Sequence, residues 1–148
     1  MRELKINKVR VVFTIEQNKD FSVTVEGWND VGFRNGDYEN PIEKWNWNVY
    51  AHIYESHPFF NDVDSALELP LHWGATYDQI ITHEPAQGIK YDFQKITKCL
   101  KVGSDYAHCD DDHENHPSAF DGVPFLIDSD AKRLVKALEK ALEKDNEL

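Results

Sequence analysis

The sequence predicts an α+β domain: a small, mostly antiparallel sheet with an N-terminal β-hairpin and a C-terminal helix packed across it. Three observations predict it. Apolar residues alternate at period two in a pair of runs near the start, alternate again over residues 45–54, and then repeat at helical spacing near the end. The 148 residues suit one domain. No repeat, low-complexity tract or linker interrupts them, so residues 1–148 are read as a single unit.

The first element is the hairpin. Val9, Val11, Phe13 and Ile15 alternate with Arg10, Val12 and Thr14, and after a polar stretch at residues 16–20 the alternation resumes at Phe21, Val23 and Val25. The second strand is expected to end near Gly27-Trp28, with turn-formers such as Asn35-Gly36 filling the next segment. The next strand has the cleanest pattern in the chain. Trp45, Trp47, Val49, Ala51 and Ile53 fall on one face, while Asn46, Asn48, Tyr50, His52 and Tyr54 fall on the other. His57-Pro58 closes it, because proline has no N–H to give to a ladder. Apolar stretches at residues 67–71 and 99–102 are expected to be further strands. Near the end, Leu134, Val135, Leu138, Ala141 and Leu142 repeat at helical spacing with Lys and Glu between them. Asp128, Ser129 and Asp130 are candidate N-caps.

Charge narrows the function classes. The chain carries 27 acidic and 16 basic residues, a net charge of −11, and such a surface repels phosphate backbones, so general nucleic-acid binding is not expected. Solubilising charge, nucleic-acid mimicry and a surface for a basic partner all produce this balance. There is no apolar run of membrane-span length and no signal-peptide h-region, and Cys99 and Cys109 form no disulfide framework. A cytoplasmic protein with free thiols is expected.

All seven histidines lie between the hairpin and the terminal helix. Three short elements hold the candidates for chemistry: Ser56-His57-Pro58; Leu71-His72-Trp73-Gly74-Ala75-Thr76-Tyr77; and Gly103-Ser104-Asp105-Tyr106-Ala107-His108-Cys109-Asp110-Asp111-Asp112. Asp105 and His108, three positions apart, fit one face of a turn, and imidazole with carboxylate suits a divalent metal or a His base oriented by an Asp. With His57 or His72 brought in by the fold, ligands converge and a bound water becomes a nucleophile. The bland reading is a solvated acidic loop with turn-capping Asp and His. His52, His83, His113 and His116 are expected to be bystanders. Gly-x-Ser-x-Gly, P-loop, dinucleotide and dense metal signatures are absent from the sequence.

Read in order, these elements resemble a family of small uncharacterised proteins of bacteria and their phages. Its members share a strand leading to Gly-His-Pro, then His-Gly-Gly-x-Thr-Tyr, then Phe-Asp-Cys-Ala-His-Ala-Gly-Asp and a terminal helix. The likeness covers about residues 45–145. Trp73, Ser56 and Asp110 stand where the family has glycine, which alters how closely a ligand can approach the backbone. His57, His72, Thr76, Tyr77, Asp105, His108 and Asp111 match, and the resemblance singles out Asp111 from the acidic run. It implies a phage- or prophage-type protein with a polar His/Asp site and names no activity. Together, motif and chemistry give one leading expectation: His57, His72, Asp105, His108 and Asp111 hold a divalent metal, Asp105 and His108 do acid–base work, and Thr76 and Tyr77 bind substrate. The reaction expected is metal-assisted hydrolysis of a phosphoester or nucleotide-like substrate. The alternative is a non-catalytic acidic binding protein that inhibits or engages a host factor.

Overall fold

The computed structural model describes residues 3–34, 36–72, 74–75, 77–83, 97–106 and 118–146. The alternating runs fold as β1 (Arg10–Gln17), β2 (Phe21–Arg34) and β3 (Asp37–Tyr54), each antiparallel to the one before. The hairpin connection is residues 18–20, shorter than the polar stretch suggested, because Glu16 and Gln17 stay paired past a bulge between Thr14 and Glu16. After a short helix α1 (Val63–Leu67) come β4 (Tyr77–His83) and β5 (Thr97–Asp105). β5 pairs with both β3 and β4, so the five-stranded sheet has the order β1-β2-β3-β5-β4, antiparallel throughout.

Three expectations need correction. β2 does not end near Trp28: it continues to Arg34 and turns back at Gly36, whose φ of 84° only glycine adopts freely. Beyond Trp28, where β1 stops, β2 and β3 project as a two-stranded ribbon. Residues 67–71 are not a strand: Leu67 ends α1, Leu69 is buried, and Pro70 cannot join a ladder. The terminal helix α2 (Phe125–Asn146) starts before the candidate caps, with the Pro124 carbonyl accepting the Asp128 N–H at 2.9 Å. Asp128 instead pairs with Lys132 one turn on, at 2.8 Å.

α2 lies across one face of the sheet, as expected. Ile127, Ala131, Leu134 and Leu138 bury against Phe21, Val23, Val25, Trp47, Val49, Ala51 and Ile53. Each large side chain so buried contributes roughly 1.5–3 kcal/mol. The register then assigns the opposite face to Thr24, Glu26, Asn48, Tyr50, His52 and Lys101. Gly103 sits opposite Tyr50, whose ring lies over it. A Cβ at Gly103 would also come within 2.7 Å of the Val49 carbonyl oxygen, so any side chain there would displace backbone.

Candidate functional site

The fold sends the first of the three sequence elements to a different place from the other two. His57 is 2 % exposed at the end of β3 and caps the 3-10 turn Pro58–Asn61. Its Nδ1 accepts the Phe59 N–H at 3.0 Å, so the ring proton resides on Nε2, which donates to the Leu138 carbonyl of α2 at 3.0 Å. No nitrogen lone pair is left for a metal. Asp105 pairs with Asn48, six strand residues before Tyr54, which places it about 20 Å from the His57 end of β3 at roughly 3.3 Å per residue. Ligands near 2 Å from a common ion cannot span that distance. His57 is therefore a structural cap and not a ligand shared with Asp105.

The second and third elements do meet. The half-buried His72 ring stacks on Tyr106, with centroids 4.3 Å apart and planes 15° from parallel. The Tyr106 hydroxyl donates to Asp130 Oδ2 of α2 at 2.6 Å, and its N–H donates to the Trp47 carbonyl at 3.1 Å. Asp105, the last residue of β5, is next in the chain. Two buried oxygens near this strand end have no hydrogen bond among the described residues: Asn48 Oδ1, on the same sheet face as Asp105, and Ser104 Oγ, on the α2 face. An unmade bond of this kind costs about 1–3 kcal/mol. Tyr77 opens β4 opposite Gly103. Thr76, His108 and Asp111 lie outside the described residues, as do His113 and His116. Among the described residues no group of three or more His, Cys, Asp or Glu is placed to hold a metal ion.

The sheet face away from α2 carries a polar network that local motifs do not announce. His52, expected to be a bystander, is buried, and its Nε2 lies 3.0 Å from Thr24 Oγ1. Tyr54 donates to Ser22 Oγ at 3.1 Å, Asn48 Nδ2 donates to the Tyr50 hydroxyl at 2.6 Å, and Lys101 Nζ sits 4.1 Å above the Tyr50 ring. The sequence signal for it is the strict Asn-Tyr-His-Tyr alternation on β3. Cys99, on the same face, is wholly buried. Burial pushes its thiol up to about 11 against a small opposing pull from Lys101, so it stays protonated and is no nucleophile.

A different feature stands out at the root of the ribbon. Phe120, Phe125 and Leu126 are 71 %, 82 % and 74 % exposed, the largest apolar exposure within any short stretch of the described residues. The Phe120 ring lies edge-on over Trp45, centroids 5.4 Å apart. Asp130, one turn into α2, is tied through Tyr106 to Trp47, so the start of α2 lies beside the same strand end. Val31, exposed, shares the Trp45 face of the ribbon by register, directly opposite Glu43. Sequence patterning does not find this patch, because Phe125 and Leu126 precede the expected helix start.

Comparison of the chain with protein-family models, with curated proteins and with solved structures finds no match. The likeness to phage-type proteins thus rests on the motif residues alone. No helix among the described residues is long and apolar enough to cross a membrane.

Proposed function

We propose that this chain is a non-catalytic binding protein that engages a protein partner through the apolar end formed by Phe120, Phe125, Leu126 and the ribbon. The observation that carries this reading is the exposure of those three large apolar side chains within residues 120–126 of an otherwise strongly charged chain. Burying each against a partner yields roughly 1.5–3 kcal/mol, a sum of the order needed to offset the cost of association. On the motif resemblance, the partner is a host factor of a phage- or prophage-encoded protein. The test is affinity capture from lysate of the organism that carries the gene. Wild type is expected to retain a discrete partner that the Phe125→Ser/Leu126→Ser double variant loses at unchanged Tm. Equal retention by both proteins refutes the reading.

A second reading keeps the hydrolase. It is supported by the stacking of His72 on Tyr106, the residue that follows Asp105 in the chain. His72, Asp105, His108 and Asp111 then hold a divalent metal, and Thr76 and Tyr77 orient a phosphoester. This reading predicts stoichiometric metal by elemental analysis of tag-free protein, lost in Asp105→Ala. Metal-free wild type after growth with several metals excludes it.

A further inference from the structure

The apolar end is bordered by carboxylates that have no counter-ion among the described residues. Glu43 stands on the Trp45 face opposite Val31, and Asp121 adjoins Phe120. Neither forms an ion pair there, whereas the cations in the first turns of α2 are each taken: Lys132 by Asp128 at 2.8 Å and Arg133 by Asp130 at 3.9 Å. Lys44, beside Glu43 in the chain, lies on the other face of the ribbon across Gly32.

We infer that the segment seated on this surface is a basic amphipathic polypeptide. Its apolar side chains cover Phe120, Phe125 and Leu126, and its Lys or Arg side chains pair with Glu43 and Asp121. This rests on the docking reading above and specifies the partner. Complementary charge steers encounter and rejects wrong partners, while the apolar contact supplies most of the affinity. A second copy of this chain is the wrong occupant by the same logic. It would set Glu43 and Asp121 against like charges, with each molecule carrying a net −11.

The test uses two synthetic peptides with identical leucine spacing, one with lysine and one with glutamate at the polar positions, titrated into the full chain and followed by amide NMR. The lysine peptide is expected to shift Val31, Glu43, Phe120, Phe125 and Leu126. Its binding should weaken roughly tenfold at high salt or in Glu43→Lys/Asp121→Lys, and the glutamate peptide should leave these amides unmoved. Equal binding of both peptides overturns the basic partner while leaving a docking surface in place. If neither binds and sedimentation shows a dimer that Phe125→Ser/Leu126→Ser abolishes, the occupant is a second copy and the inference falls. If neither binds a monomeric chain, the docking reading falls with it.

Discussion

His57 commits both ring nitrogens to backbone groups, and that commitment fixes its charge. A protonated ring could still donate to Leu138 but could no longer accept the Phe59 N–H, so the fold requires the neutral form. Burial is the main cause that holds its pKa below the ordinary 6.5, and the Leu138 bond and the carboxylates of Asp20 and Asp145 oppose it. With the folded pKa below the unfolded one, the unfolded chain binds the proton first as pH falls. The His57 contribution is complete above about pH 6.5 and drains away below it, down to the folded value. Urea unfolding at pH 7 and pH 5 measures this. His57→Asn keeps an acceptor for Phe59 and removes the titration, so it should be less stable at pH 7 yet lose less stability than wild type on going to pH 5. Parallel losses in both proteins would remove His57 from the account. The other six histidines are common to both proteins and cancel in the difference.

At the scale of elements, period-two and helical patterns make the hairpin, the central strand, β5 and α2 legible, because each buries one face against the core. The misses have identifiable reasons. Residues 29–44 are rich in Asn, Asp, Gly and Pro and read as turns, yet they extend β2 and β3 as a ribbon. Pro41 is tolerated there opposite Phe33, where β3 has no β5 residue beside it. The Leu67-Leu69-Leu71 alternation mimics a strand, but Asp62 accepts the Ser65 N–H at 3.2 Å and starts α1 instead. β4 is hidden because Asp78, Gln79 and Ile80 in succession are all exposed, and three like neighbours set no period. For the site, local motifs place His72 beside the end of β5 but group His57 with it, which the fold does not. Convergence is decided by the register of β3 on β5, a long-range quantity that no local spacing encodes.

On the scale of the whole molecule, the long axis of β3 separates two tasks. At its far end His57 locks the chain to α2 by backbone bonds, a purely structural use of a histidine. At the ribbon end the core gives way to Trp45 under an exposed Phe120, with Glu43 on the same ribbon face, Asp121 next to Phe120 in the chain, and Phe125 and Leu126 exposed at the start of α2. Apolar side chains also stand exposed elsewhere, such as Ile80 on the β4 edge at 58 %, and that residue supplies an internal control. The most direct measurement is photo-cross-linking in the source cell, with benzoylphenylalanine in place of Phe125 in one protein and of Ile80 in another. The account predicts one discrete, basic cross-linked protein from position 125 and none in common from position 80. The same products from both positions, or none from position 125, would contradict it.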